Sequence, residues 1–372
     1  MSCTPEKIAS IDITTDDRVA AIRGSRIDFL ANSVLSPGYT VKFKNDTPVK
    51  PSRAMFHDAD QKLLVSNREY PNVLLSIDAE TGKNLSERRL MMTSDDHIQP
   101  IDFTIPSLKF SQHKQGDVLN LMCIHNNQFF NLNWDLRENK PKQLISLEDK
   151  YVNKSSNFMG IATSSTGQIA VGDDNGTIRL FNSPSKLPPG KFYRRAKNNL
   201  SQLADPIRHV DVSSDGKWVI WTTKTYLAIV YTEFESEKGG GTLSGFDKPM
   251  GAKKPQALIL RVDPDELKKH DIKELDLKNG QFDNGPHLDA DTNKTIIEEE
   301  IVASTGNYIL RWKFRPIKLE YHKPRERPIL IKPKFYRCKE KIVDKQFKYN
   351  TKGVVTAFDY ELSDLKLDPD EQ

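Results

Sequence analysis

The stretch Phe158–Phe181, FMGIATSSTGQIAVGDDNGTIRLF, decides the fold class. A first apolar run, MGIAT, ends at the polar turn SSTG. A second, QIAVG, ends at DDNG, and a third, TIRLF, follows at once. These turns carry Gly, Asn and Asp, which reach the positive φ that tight hairpins demand at low cost. Alternation in the last run sets Ile178 and Leu180 on one face and Arg179 and Phe181 on the other. Three strands joined by two tight turns make most of a propeller blade.

Working outward, the unit recurs. Arg208–Val230 repeats it with SSDG as the first turn, and Ala54–Ile77 repeats it with DADQ. Partial copies stand at Arg18–Ala31, Glu300–Lys313 and Phe347–Tyr360. A looser copy, Ile101–Leu132, carries the insertion SQHKQGD. The reading is all-β: a WD-like β-propeller over residues 16–362. Residues 1–15 form an extension or a first strand, and 363–372 an acidic tail. If IASIDI opens a blade of its own, there are seven blades. If it joins the C-terminal strands, there are six. Either closure protects the sheet edges. A β-sandwich or barrel with similar hairpins is the competing architecture. The long interval 236–292 reads as an insertion in one blade. It holds Gly239-Gly240-Gly241 and a short helix capped by Asp263 with Pro264 at its first position.

Composition narrows the class. The chain has 372 residues, with 28% charged and 37% hydrophobic, which fits a folded domain with a wet surface. No run approaches a membrane span, and the first residues lack a secretory pattern. Three scattered cysteines, Cys3, Cys123 and Cys338, make neither a disulfide framework nor a metal pair, so a reducing, cytoplasmic setting is expected. A net charge of +4 is too small at this length to imply nucleic acid by itself.

SSTGQIAVGDDNGTIRLF followed by LADPIRHVDVSSDGKWVIWTTKTYLAIV resembles the C-terminal propeller of the vacuolar import and degradation protein 27 family. DRVAAIRGSRIDFL, PSRAMFHDADQKLLV and FDNGPHLDADTNKTIIEEEIVASTGNYILRWK agree and stand in the family's order. The resemblance runs from Asp17 to near Phe358 and is most specific over Gly172–Tyr226. It implies a WD-like propeller, a cytoplasmic setting, no catalysis, and a link to vesicle-borne delivery and turnover of cargo. Family members carry a long N-terminal region with a pleckstrin-homology-like part, whereas here the propeller pattern starts close to Met1. The loop KLPPGKFYRRAKNNLSQ is more basic than the family pattern leads one to expect.

Chemical constellations are few. Asp173 and Asp174 could pair for a cation, but Asp at such a turn ordinarily binds its own backbone, and a bracing role is expected. No histidine has metal-ligand spacing or a nucleophile motif nearby. His57 and His209 read as bracing or packing residues on first strands. The reading therefore assigns no catalytic residue, metal or cofactor. Of Trp218 and Trp221, three apart in one strand, one is expected in the core and the other exposed and adhesive. Trp312 is expected in inter-blade packing.

Two basic stretches stand out. One is the loop holding Lys191, Arg194 and Arg195 beside Phe192 and Tyr193. The other runs from Lys318 to Lys352 and is diluted by Glu320, Glu326, Glu340 and Asp344. Cations interleaved with aromatics can hold phosphate and stack bases. In the plain reading they are a solvated face.

The turns between second and third strands share one rim with the inter-blade loops. They place Arg23, Arg26, Arg68, Asp173, Lys224 and Thr225 at or beside their tips, along with Thr305 and Asn307. Loops on a rigid scaffold are where recognition usually sits. The leading expectation is a non-catalytic scaffold whose rim binds an acidic protein segment. An RNA- or anionic-lipid-binding propeller is the second reading. A hydrolase with a site over the central channel is the third. Oligomeric state is not legible.

Overall fold

In the computed structural model, residues 6–367 are described, apart from 32–33, 94–96, 117, 136, 138–139, 147–149, 189–190, 202, 237–239, 285–286, 289–294, 297, 324–329 and 350–352. Gly239, residues 324–329 of the second basic stretch including Glu326, Lys352, Cys3 and the tail beyond Leu367 lie outside the described residues.

Seven antiparallel blades follow one another along the chain. Blade 1 is built from Ile8–Ile13, Val19–Arg23, Arg26–Ala31 and Val34–Thr40. In blade 2 the strands are Pro51–His57, Lys62–Asn67, Val73–Asp78 and Asn84–Met92. Blade 3 comprises Phe103–Pro106, Val118–His125, Gln128–Asp135 and Lys150–Val152. The stretch that decided the fold supplies Phe158–Thr163, Ile169–Asp173 and Ile178–Phe181 of blade 4, with Asn198–Leu200 outermost. Blade 5 uses His209–Val212, Trp218–Thr222, Tyr226–Tyr231 and Leu258–Arg261, and blade 6 uses Lys278–Phe282, Glu300–Thr305, Tyr308–Lys313 and Lys334–Arg337. Asp344–Phe347, Gly353–Ala357 and Leu362–Lys366 form blade 7.

The interval 236–292 thus contains the outer strand of blade 5 and the first strand of blade 6. Between them lies the helix Pro264–Lys269, whose first turn is capped by the Asp263 carboxylate accepting from the Asp265 N–H at 3.1 Å. Residues 363–366, at the start of the expected tail, are paired in blade 7.

The core is divided among the seven interfaces between neighbouring blades. Each central strand is apolar on both faces, because each face meets a different blade. In Trp218–Thr222, Trp218 and Ile220 pack with Ile301, Leu310 and Trp312 of blade 6, while Val219 and Trp221 pack with Ile178 and Leu180 of blade 4. Trp218 is 5% exposed and Trp221 2%, which corrects the expectation that one of them is an exposed contact. Trp312 sits in inter-blade packing, as expected.

Blade 1 is wholly N-terminal and blade 7 wholly C-terminal, so the ring closes without strand exchange. Ile8, Ile11 and Val19 pack on Val355 and Ala357. The Ile8 N–H donates to the Asp359 carbonyl at 2.7 Å, and the Ile11 N–H to Asp344 Oδ2 at 3.1 Å. That second contact recurs around the ring. Asp12 accepts from the Phe56 N–H at 2.6 Å and Asp211 from the Phe282 N–H at 2.9 Å. Each is a first-strand carboxylate that bonds the backbone of the next blade.

Candidate partner-binding surfaces

Residues 107–116 of blade 3, which include most of the SQHKQGD insertion, lie across one mouth of the channel. Lys109 Nζ reaches blade 5, at 3.0 Å from Asp211 and 2.6 Å from the Val212 carbonyl. The Lys109 N–H donates to Ser164 of blade 4 at 3.0 Å. His113 contacts Asp60 of blade 2 at 2.6 Å and the Tyr349 hydroxyl of blade 7 at 2.9 Å. Residues that touch blades 2, 4, 5 and 7 must cross the opening. The hub at Asp60 holds three successive left-handed residues, Asp58, Ala59 and Asp60, with φ of 54°, 52° and 64°. It also accepts from the N–H and hydroxyl of Thr15, both at 2.9 Å.

This Asp–His–Tyr chain ties blades 2, 3 and 7 together. The Tyr349 phenol is held protonated far above its ordinary range by burial and by Asp12, Asp60 and Asp17. Two further histidines, His57 and His209, bond inward. His57 meets the Ser76 hydroxyl at 3.2 Å and His209 Nδ1 meets the Gly280 carbonyl at 3.0 Å. Burial pushes both imidazoles down to about 4. Among the described residues no group of three or more His, Cys, Asp or Glu is placed to hold a metal ion.

Glu298 gives a pH test of the blade 5–blade 6 seam. It is buried, accepts from the Ser214 N–H at 2.5 Å, and faces Lys109 and Asp215. Burial raises its carboxyl to about 7, against about 4.3 in an unfolded chain. Between those values the folded state holds a proton that the unfolded state has released. The contribution is therefore full below about pH 4 and is lost as pH rises to about 7. Gln keeps the acceptor and cannot ionise. Glu298→Gln should gain stability relative to the parent, by on the order of 1–3 kcal/mol, between pH 4.5 and 7.5. Urea midpoints that keep a constant gap over that range would show that Glu298 does not titrate there.

On the opposite rim the expected residues divide. Asp173 is fully buried and is not a contact residue. It accepts from the Thr177 N–H at 2.8 Å, the Asn175 N–H at 3.1 Å and the Ser156 hydroxyl at 2.5 Å, and it pairs with the Arg179 guanidinium. A carboxylate so fully bonded inward braces its turn. Asp174 similarly accepts from the Asn157 N–H at 3.1 Å. Arg23 is also drawn inward: it donates to the Tyr360 carbonyl at 2.7 Å and lies 3.8 Å from Asp28. Arg26, Arg68, Lys224 and Thr225 are exposed. Lys224 is paired with Glu274, and Arg26 is 3.4 Å from Asp28. Thr305 is buried, and the Asn307 side chain donates to the Cys338 carbonyl at 3.3 Å.

The basic loop Lys186–Lys197 holds its cations out and its aromatics in. Lys191, Arg194 and Arg195 are exposed. Tyr193 is buried, donates to the Asn182 carbonyl and packs edge-on against Phe181, while Phe192 and Tyr193 both lie against Phe129. The rings are therefore spent on the blade 3–blade 4 core and are not presented for stacking on bases. Further along, Lys339 pairs with Glu361, Lys348 with Asp364 at 2.9 Å, and Lys332 with Asp263 at 3.4 Å. Lys345 is buried on the Asn279 and Val302 carbonyls.

What sequence reasoning missed are the inter-blade carboxylates Asp12, Asp211 and Asp344. Their signal is an Ile-Asp or Val-Asp pair on a first strand: Ile11-Asp12, Val210-Asp211, Val343-Asp344. It also missed that the loop carrying this insertion, from Lys109 to Gly116, spans the channel.

A ring of seven antiparallel blades, most of them four-stranded and braced from strand to turn, places the chain among the WD40-like propellers. Residues 15–367 match the family described as the VID27 C-terminal WD40-like domain, and the chain belongs to that family. It is 28% identical over 277 residues to Vacuolar import and degradation protein 27 of Schizosaccharomyces pombe, covering 73% of this chain and 31% of that protein. It is 24% identical over 273 residues to the protein of the same name in Saccharomyces cerevisiae, covering 72% and 32%. The chain thus spans about a third of the length of these relatives. Among solved structures, it is similar to the Cps50 (Swd1) β-propeller domain of Myceliophteria thermophila, with a TM-score of 0.61, 10% identity and 98% of each chain covered. The hydrazine synthase of Kuenenia stuttgartiensis has a TM-score of 0.65 and 11% identity, covering 99% of this chain and 97% of that one. At such identity these two speak for the fold alone. Among the described residues no helix is long and apolar enough to cross a membrane.

Proposed function

We propose that the chain is a non-catalytic, cytoplasmic protein-interaction platform serving delivery or turnover of cargo proteins, and that its rim binds an acidic protein segment. One observation carries the reading. The chain's own blade 3 loop crosses one channel mouth, while the opposite rim holds Arg26, Arg68 and Lys224 exposed on turns fixed by the blades beneath. Loops on a rigid scaffold lose little entropy when they bind. The resemblance to the two vacuolar import and degradation proteins supplies the cellular setting, and it does so by family alone.

The test is affinity purification of the intact chain from its own cells, with the partners identified by mass spectrometry. Arg68→Glu with Lys224→Glu should leave the fold intact, since exposed ion pairs contribute about 0–1 kcal/mol. It should abolish recovery of an acidic partner. Undiminished recovery would defeat the rim reading. Retention on heparin that falls steeply with salt and needs Lys191, Arg194 and Arg195 would favour a polyanion instead.

A further inference from the structure

Arg53 is a cation of the channel wall that the fold leaves without an anion. It is the third residue of Pro51–His57, the innermost strand of blade 2, and it is exposed. Its neighbours put the guanidinium inside the ring. It lies over the Phe103 ring of blade 3, 4.2 Å from the centroid. It is also within electrostatic reach of Asp344 of blade 7 and His209 of blade 5. Blades 3, 5 and 7 stand on different sides of the ring, so a side chain from blade 2 meets all three only across the channel.

Strand direction sets its level. Each first strand starts at an inter-blade loop on the rim side and ends at the turn to the second strand. Phe103, His209 and Asp344 open their first strands, and Arg53 stands two residues into its own. All four therefore lie toward the rim, away from the mouth that the blade 3 loop crosses.

Other inward cations are committed. Lys109 meets Asp211 at 3.0 Å, Lys345 donates to the Asn279 and Val302 carbonyls at 2.8 and 3.2 Å, and Arg18 donates to the Asp60 carbonyl at 3.0 Å. Asp344 takes the Ile11 N–H at 3.1 Å and the Lys345 N–H at 2.8 Å, one on each oxygen. Among the described residues no carboxylate or other oxygen bonds the Arg53 guanidinium. The Phe103 ring steadies that group and leaves its N–H donors without an oxygen acceptor.

We infer that Arg53 receives the carboxylate of an Asp or Glu side chain, inserted into the channel from the rim by the acidic segment that the rim binds. A planar guanidinium matches a carboxylate with two parallel hydrogen bonds. Asp344 lies within reach of the same point and repels a doubly charged phosphate more than a carboxylate. Met159, second in the first strand of blade 4, is 48% exposed, so the wall past Phe103 is apolar and suits an apolar residue beside the acid. The inference rests on the rim reading above and gives the segment its central contact.

The probe is a library of displayed random dodecapeptides panned on the intact chain, with enriched sequences synthesised and titrated by fluorescence anisotropy. Enriched peptides should carry an Asp or Glu next to an apolar residue. Arg53→Gln should weaken them about tenfold or more. Replacing that acid by its amide should cost the same in the parent and nothing further in Arg53→Gln, as a contact between the two requires. Arg53→Lys, which keeps the charge and loses the fork, should weaken binding several-fold, and it decides the matter if Arg53→Gln fails to fold by circular dichroism. No enrichment, or peptides indifferent to Arg53, overturns the inference. So does displacement of the peptide by inorganic phosphate at lower concentration than by acetate, since the site would then prefer the doubly charged ion. Loss of partner recovery on rim reversal, with Arg53→Gln harmless to peptide and partner, would sink the channel site and leave the rim reading standing. Peptides that need Arg53 while rim reversal leaves partner recovery intact would sink the rim alone.

Discussion

Asp173→Ala should cost the propeller about 3–5 kcal/mol, read as a lowered urea midpoint with an unchanged slope. The size follows from what is left behind. Arg179 is 8% exposed at its side chain and has Asp173 as its ion-pair partner, so truncation strands a buried guanidinium. The N–H groups of Asn175 and Thr177 and the Ser156 hydroxyl lose their acceptor at the same time. Leaving buried donors unsatisfied costs more than a hydrogen bond is worth net. Asp173→Asn tests the assignment from the other side, because it keeps the shape and removes the charge that Arg179 needs. It should also destabilise, by less than alanine. A loss below about 1 kcal/mol for Asp173→Ala would place Asp173 among surface positions and return it to the list of rim contacts.

The bracing role of Asp173 was legible in the sequence because turn chemistry is local. DDNG needs positive φ at its glycine, and Gly176 has φ 77°. The same locality made Asp263 readable as a helix cap and made IASIDI readable as a strand, though whether it opened a blade of its own or joined the C-terminal strands stayed open in the sequence. Arg23 shows where local reading stops. Its position beside a turn tip is written in the sequence, but its bond to Tyr360 joins residues from opposite ends of the chain. The channel-spanning loop and the fifth strand of blade 2 have the same origin. Lys142–Ile145 leaves blade 3 to pair with blade 2, and nothing in KQLI states which sheet it will join. The basic loop's exposed cations were legible, but the packing of Phe192 and Tyr193 was not, because both rings answer to Phe129, which is remote in sequence.

Trp218→Ala and Trp221→Ala should each cost about 3–5 kcal/mol, and neither should behave as the loss of a surface contact. Opposite faces of one strand were read as one inside and one outside, which holds for a sheet with one wet face. A propeller blade has neighbours on both sides, so both indoles are inside. Trp218 packs against Phe314 at 5.4 Å and Tyr321 at 5.1 Å between ring centres, on the blade 6 side. Trp221 lies in the cluster shared with Leu180, Leu200 and Ile207, on the blade 4 side. The two cavities therefore open in different interfaces, and the losses should add to within about 0.5 kcal/mol in the double variant if that chain still folds. A further contrast separates volume from polarity. The Trp221 indole N–H is buried without a hydrogen-bond partner. Trp221→Phe removes that unsatisfied donor along with part of the volume, so its loss should be well below that of Trp221→Ala. Unfolding midpoints of the three single variants check the ordering. A near-wild-type midpoint for either alanine variant, with partner recovery lost, would restore that tryptophan to the surface and make it an adhesive contact after all.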